Sequence, residues 1–281
     1  MKTVIFRDRH EVPALGMGTW NMGDSTQTRA EEMASLRLGL DSGLSVIDTA
    51  EMYGSGRSER LVGEAIKGRR DEAFLISKVV PSNATYEGTL KSCQASLRRL
   101  GTGHLDLYLL HWRGSVPLEE TIEAMEHLQE RGDIIRWGVS NFDTQDMTDI
   151  EAHTVSCAAN QILYNLEARG IDYDLLARDA EKGVVSIAYS PLGQGGSLLD
   201  DPILKTVARR HETASGPATP AQIALAWTLR QANILSIPKA GTRHHLQENI
   251  DALALVLDDR DLADLDSCFP PPTHKSALEM I

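Results

Sequence analysis

No run of about 18 apolar residues occurs anywhere in this 281-residue chain, so no stretch of it is suited to cross a membrane as a helix. The opening MKTVIFRDRHEVPALG carries charges where a signal peptide needs an uninterrupted apolar core, which sets an expectation of a cytoplasmic protein. Cysteine is scarce. Cys93, Cys157 and Cys268 lie far apart with no CxxC, which argues against a disulfide frame or a zinc knuckle and suits reduced thiols in ordinary packing. Positive charge is in deficit: 28 basic against 40 acidic residues leave a formal charge of −12 and a pI near 5.2. No Lys/Arg-rich block offsets that balance, so a polyanion is repelled and nucleic acid is not an expected partner. The nine histidines are scattered, and no HxH or HExxH closes an apolar run, so a metal-dependent hydrolase lacks its ligands and no metal is expected. GSGRSE, the Gly-rich candidate for a dinucleotide turn, lacks the full GxGxxG and the acidic strand end that should follow it, and it reads as a turn. No heptad is long enough to argue an oligomer, which makes a monomer the expected state.

What is present is a regular alternation. Eight apolar, β-rich runs recur at fairly even spacing: 14–20, 44–50, 73–79, 105–112, 135–142, 158–165, 184–191 and 234–240. Amphipathic stretches at 28–43, 85–101, 117–132 and 219–232 lie between them, with apolar residues at i, i+3, i+4 and i+7 and glycine at several of their C-terminal ends. Strand followed by helix eight times over predicts an α/β protein, a (β/α)8 TIM barrel rather than a doubly wound sheet. The first segment alternates around a charged turn and predicts an N-terminal β-hairpin. A loop at 193–201, a helix at about 202–212 and an extra C-terminal helix at 258–267 complete the expected order, before a Pro-rich tail. Nothing resembling a linker interrupts it, so residues 1–281 are assigned to one domain.

In such a barrel the chemistry sits where strands end. The run VIDTAEMYGSGRSE puts Asp48 at the end of the second strand and Tyr53 in the loop beyond; Lys78 ends the third and His111 the fourth. Taken singly, Asp48 reads equally as a helix or turn cap, Tyr53 and Lys78 as rim residues and His111 as a satisfied strand-end histidine. Together they make a site. A lone ammonium closing the apolar run FLIS needs an anion, and Asp48 one strand away supplies it. An ammonium beside a phenol is expected to lower the phenol from its free value of about 10, as suits a proton donor working near neutrality. His111 has the donor capacity to orient a carbonyl oxygen. No side chain delivers a hydride, so reduction at this site requires a nicotinamide cofactor held by strand ends later in the chain.

GMGTW, IDTAEMYGSGRSE, ISKV, LDLYLLHW, WGVSNF, NQILYN, AYSPLGQGG and IPKAGTRHHLQENI, in that order, resemble the successive motifs of the aldo-keto reductases, over about residues 3–268. The resemblance implies Tyr53 as general acid, Lys78 tuning it, Asp48 holding Lys78 and His111 placing the substrate oxygen. It implies Ser140, Asn141 and Gln161 on the nicotinamide carboxamide and Tyr189 stacked on the ring, with Gly18, Thr19, Trp20 and Asp48 also at the cofactor. Ser190, Pro191, Leu192 and Gln194 would follow the pyrophosphate. Lys239, Ala240, Gly241, Thr242, Arg243, His245, Glu248 and Asn249 match the segment that grips the adenosine end, with Lys239 facing a 2′-phosphate and favouring NADPH. Two departures leave NADH possible: His245 stands where the family usually presents an arginine, with Arg243 two residues earlier, and Ala240 replaces a common serine.

Trp20, Met22, Met52 and Trp112 are candidate walls for the substrate, beside Tyr53 and His111; Met22 and Met52 could equally pack the barrel rim. The short loop WRGSVPLEE and the short tail after Cys268 predict a shallow site for small aldehydes, ketones and dicarbonyls. Arg113 could attract a carboxylated aldehyde or simply be solvated. PPPTHKSALEMI and DTAEMY resemble bacterial members that reduce methylglyoxal and related small aldehydes, a detoxifying reaction. The expected function is therefore NADPH-dependent reduction of a carbonyl to an alcohol; the alternative is a non-catalytic NADP(H)-binding barrel acting as a sensor or subunit. The glycines of GQGGSLLDD predict a loop that closes over the bound cofactor.

Overall fold

The computed structural model describes residues 1–281. Two antiparallel strands, β1 (Thr3–Ile5) and β2 (Glu11–Pro13), form the expected hairpin. The eight runs become eight parallel strands: β3 (Met17–Gly18), β4 (Val46–Asp48), β5 (Phe74–Val79), β6 (Leu107–Leu110), β7 (Trp137–Ser140), β8 (Ala159–Leu163), β9 (Val185–Tyr189) and, after a second small hairpin of β10 (Glu212–Thr213) and β11 (Gly216–Pro217), β12 (Ile234–Ser236). Each lies in the sheet beside its predecessor, and parallel bridges from Leu15 to Ser236 and from Gly18 to Lys239 bring the last against the first, closing the barrel. Seven of the eight are buried at every residue and β9 at all but Tyr189, which is why they read as continuous apolar runs instead of alternating ones. The seam depends on Gly18: a Cβ there would come within 2.6 Å of the Ile237 carbonyl oxygen, where the Gly18 N–H donates to Pro238 O at 3.0 Å.

Ten helices surround the sheet: α1 (Arg29–Asp41), α2 (Arg57–Ala65), α3 (Tyr86–Leu100), α4 (Leu118–Glu130), α5 (Thr144–His153), α6 (Leu175–Glu181), α7 (Pro202–Ala208), α8 (Pro220–Thr228), α9 (Arg243–Asp251) and α10 (Asp259–Cys268). Their limits are set by local chemistry. Thr85 caps α3, which ends on Gly101 at φ 65°, while Asp143, Thr219 and Asp258 start α5, α8 and α10 with reciprocal capping boxes. The helix expected over about 202–212 stops at Ala208, because the chain turns into the β10–β11 hairpin, whose two-residue strands are too short to leave a periodic signal.

One end of the barrel is shut. Phe6 of the first hairpin stacks on Phe74, the first residue of β5, with ring centroids 5.4 Å apart, and the Arg136 guanidinium lies over the Phe6 ring at 5.2 Å. The open mouth is at the opposite, C-terminal ends of the strands.

Candidate active site

Asp48 is the last residue of β4, Lys78 the second-last of β5, His111 follows β6, and Tyr53 begins a 3-10 turn, Tyr53–Gly56, that leads into α2. Parallel register aligns Asp48 with Ile76 and Lys78 with Leu109, so the three strand-end groups stand side by side at the mouth. The Lys78 ammonium, fully buried, donates to Asp48 Oδ2 at 2.8 Å, to the Thr49 carbonyl at 2.8 Å and to the Tyr53 hydroxyl at 3.2 Å. All three of its hydrogens are thereby used, which satisfies a charge that would otherwise be costly to bury. The second Asp48 oxygen accepts from Gln161 Nε2 at 2.8 Å. Asp48 is thus an anchor for two residues and caps no helix. The Tyr53 and His111 rings meet edge to face at 5.8 Å, and Trp112 lies against His111 at 5.0 Å.

The electrostatics correct one expectation. Burial raises the Tyr53 phenol above its ordinary 10.0; the Lys78 ammonium pulls it down without cancelling that, and the Asp48 carboxylate adds to the rise. The net effect of the surroundings is therefore to keep the phenol protonated, not to depress it. Burial alone would push the Lys78 ammonium down, but Asp48 and Tyr53 outweigh it and the net shift is upward. Burial, reinforced by Lys78, pushes the His111 imidazolium down to about 2, so its ring is neutral at any ordinary pH. Its Nδ1 is buried with no protein partner.

A hydroxyl network below this cluster fixes it, and nothing in the sequence beyond residue type announces it. Thr19 Oγ1 donates to Asp48 O at 2.8 Å, Ser58 Oγ donates to Thr19 O at 3.0 Å, and Thr49 Oγ1 donates to Ser58 Oγ at 3.1 Å. Glu59, fully buried, accepts from Ser77 Oγ at 2.7 Å and pairs with Arg99. GSGRSE is a turn as expected, with Gly54 and Gly56 at φ 55° and 82°, but its Ser58 and Glu59 also tie α2 to the floor of the site. Thr19 accordingly braces Asp48 as well as lining the mouth.

Above the cluster opens a cleft of about 510 Å³. It is lined by Asp48, Tyr53 and His111 together with Gly18, Thr19, Trp20, Met52, Trp112, Ser140, Asn141, Gln161, Tyr189, Ser190, Pro191, Leu192, Gln194 and Lys239. Of the seven non-glycine residues with positive φ in the chain, four line this cleft: Asn21, Asn141, Ser190 and Gln194. Such backbone is retained where its surroundings demand it, and it gathers at functional sites. Asn141 is held by Nδ2 donating to His111 O at 3.2 Å and by Tyr189 OH donating to its Oδ1 at 2.9 Å; burial pushes the Tyr189 phenol up to about 12. These positions fit an extended, partly aromatic cofactor: a phenol ring and amide groups near Tyr53, left-handed backbone beyond them, and an exposed ammonium at the far end. Gly241 makes room for that ammonium, since a Cβ there would lie 3.0 Å from Lys239 Nζ.

The remaining adenosine-end residues stand apart from the cleft. Thr242 caps α9 by accepting from the His245 N–H at 3.2 Å, the Ala240 carbonyl accepts from Ser35, Asn249 is buried, and Arg243, His245 and Glu248 stand on the first turns of α9. His245 Nδ1 lies 2.9 Å from Glu248 Oε2.

Three expectations about the substrate side change. Met22 is fully buried in the core and is not a wall, whereas Trp20 and Met52 stand half out at the rim. Arg113 points away, pairing with Asp146 and Asp149 of α5 beside a separate surface hollow, so it offers nothing to a substrate carboxylate. The tail after Cys268, whose shortness pointed to a shallow site, crosses back over the molecule: Lys275 pairs with Asp174 at 3.1 Å, and Met280 and Ile281 line the cleft. No periodicity in FPPPTHKSALEMI could have announced that.

The arrangement has counterparts in known proteins. The profile of the aldo/keto reductase family matches residues 14–269. The methylglyoxal reductase YeaE of Escherichia coli (strain K12) is 44% identical over 286 residues, spanning 100% of this chain and 99% of the relative. An aldo/keto reductase of Klebsiella pneumoniae, solved in complex with NADP and acetate, superposes with a TM-score of 0.94 at 46% identity, covering 100% of this chain and 99% of that one. A second structure, of an aldo-keto reductase from the same organism in complex with NADPH, gives the same TM-score and identity. With the barrel, the strand-end cluster and the motif order in agreement with these matches, the chain belongs to the aldo/keto reductase family.

Proposed function

We propose that the protein reduces aldehydes, ketones and small dicarbonyls of the methylglyoxal kind to alcohols with NADPH, Tyr53 giving the proton. The observation that carries this reading is the Tyr53 hydroxyl, 3.2 Å from an ammonium held by Asp48 and facing a neutral histidine at the floor of the cleft. Bound at Ser140, Asn141, Gln161, Tyr189 and the residues beyond, NADPH supplies the hydride that no side chain can provide. The neutral His111 ring donates a hydrogen bond to the carbonyl oxygen and so fixes which face of the carbonyl is presented. As negative charge gathers on that oxygen, Tyr53 transfers its phenolic proton to it. The phenolate left behind sits against the Lys78 ammonium, which stabilises it until solvent returns a proton. Lys78 in this account serves the phenolate formed during the reaction more than the phenol at rest. A positioned acid of this kind contributes roughly 10²–10⁴-fold in rate.

Trp20, Met52 and Trp112 give the substrate apolar walls, and Met280 and Ile281 also line the cleft. Lys239 at the far end of the cleft favours the 2′-phosphate of NADPH over NADH. Every side chain the reaction requires comes from one chain, consistent with action as a monomer on a small-molecule substrate. The test is an NADPH-oxidation screen over methylglyoxal, nitrobenzaldehydes, glyceraldehyde and keto esters. Turnover of at least one small aldehyde is expected; cofactor binding without turnover of any of them would replace this reading with that of a non-catalytic binding protein.

A further inference from the structure

His244, His245 and Glu248 bring one ligand atom each to within 4.8 Å of the others on the first turns of α9. Nδ1 of His245 is 2.9 Å and Nε2 of His244 3.8 Å from the same Glu248 oxygen, Oε2. Tetrahedral zinc, with bonds of about 2.0–2.2 Å to nitrogen and oxygen, sets its ligand atoms roughly 3.3 Å apart, so rotation of the two exposed imidazoles about the half-buried Glu248 carboxylate brings this cluster to a coordination set. Two imidazoles with one carboxylate are the donors that borderline transition metals select, and a set of three leaves a coordination position open. The chain's charge of −12 also favours cations over its surface. A search for HxH or HExxH passes over this pattern, HHxxE, because its ligands occupy positions i, i+1 and i+4 of one helix.

The cluster lies five to nine residues beyond Lys239, on the helix expected to meet the adenosine end of the cofactor. Without an ion, this turn carries one carboxylate, Glu248, beside its two imidazoles. We infer that His244, His245 and Glu248 bind a divalent transition metal, zinc being the best match, and that the ion accepts the 2′-phosphate of NADPH at its open position, in place of the arginine the chain lacks there. A phosphate oxygen is a competent fourth ligand, and a charge of +2 more than offsets the Glu248 carboxylate. NADH has no such phosphate. The ion therefore raises the preference for NADPH without taking part in the chemistry at Tyr53. This rests on the proposed reductase reading for the position of the cofactor, but not for the metal site itself.

The test uses the full chain stripped with EDTA. Titrating zinc chloride by calorimetry, without cofactor, should show about one ion per chain, and Co²⁺ should give the absorption of a low-symmetry site. Even groups one shell removed from a metal are worth roughly 10–100-fold in affinity, so His244→Ala and Glu248→Gln should each weaken zinc binding at least about tenfold. Saturating zinc should then tighten NADPH relative to NADH by about fivefold or more, the lower end of measured couplings between sites, in the native chain and not in His244→Ala. Absence of binding, binding indifferent to both substitutions, or a cofactor ratio unmoved by zinc would each overturn the inference. NADPH-dependent turnover measured in EDTA separates the two readings: turnover there with no zinc binding overturns the ion site and leaves the reductase standing.

Discussion

Replacing Tyr53 by phenylalanine removes one oxygen and the phenolic proton at the floor of the cleft. Turnover of an aldehyde should fall by about two orders of magnitude or more, while the NADPH dissociation constant, followed by fluorescence, changes little. Near-native turnover would show that another group is the acid. Lys78→Met should be as damaging to turnover and should also destabilise the fold by about 3–5 kcal/mol, since Asp48 keeps a buried charge with its partner gone; urea denaturation measures this. The pH profile follows from the signs of the shifts. His111, pushed down to about 2, stays neutral throughout, and the Tyr53 phenol, raised above 10.0, stays protonated, so kcat/KM should be level from mildly acidic pH up to about pH 10. A descending limb near pH 7 would mean that Lys78 depresses the phenol in the free enzyme after all. At this scale the sequence showed which residues belong together, because Asp48, Lys78 and His111 each close an apolar run. It could not show the direction of the Tyr53 shift, which is a balance between burial and one ammonium, or the hydroxyls of Thr19, Thr49 and Ser58, which have no spacing to distinguish them.

Among the elements, the strands were legible because a strand covered on both faces leaves an unbroken apolar run, and the longer helices because their caps and periodicity agree. The β10–β11 hairpin and the returning tail were not, being short or aperiodic and defined by what they pack against. The loop at 193–201 folds into two 3-10 turns, Gly193–Gly195 and Ser197–Asp200, with Leu198 buried as an anchor while Leu192, Gln194 and Gly195 face the cleft. We expect its amides to exchange more slowly when NADPH is added, Gly193 to Gly196 most of all; equal exchange with and without cofactor would mark a plain connector. Met280 and Ile281 are exposed, at 51% and 71%. Their removal should leave stability within about 0.5 kcal/mol yet raise KM for bulkier aldehydes, whose apolar parts lose one lip of the cleft. An unchanged KM across substrates of different size would show that the tail only covers the surface.

The molecule as a whole is a barrel shut at one end by the Phe6 and Phe74 stack and open at the other, where strands from all around the sheet send single residues into one cleft. That convergence explains why residues from Gly18 to Ile281 share a site, and why motif order along the chain carries so much of the functional reading. On the proposed mechanism a hydride passes directly from NADPH to a carbonyl carbon in this cleft, and a proton passes from Tyr53 to its oxygen. This transfer is tested most directly by a reaction with methylglyoxal in ordinary water, using each of the two NADPH samples deuterated on one face at the transferable position of the nicotinamide. One of the two samples should give an alcohol with a single deuterium on the new carbinol carbon and ordinary hydrogen on its oxygen; an alcohol without deuterium from both samples, its carbon-bound hydrogen drawn from solvent, would rule out direct hydride transfer.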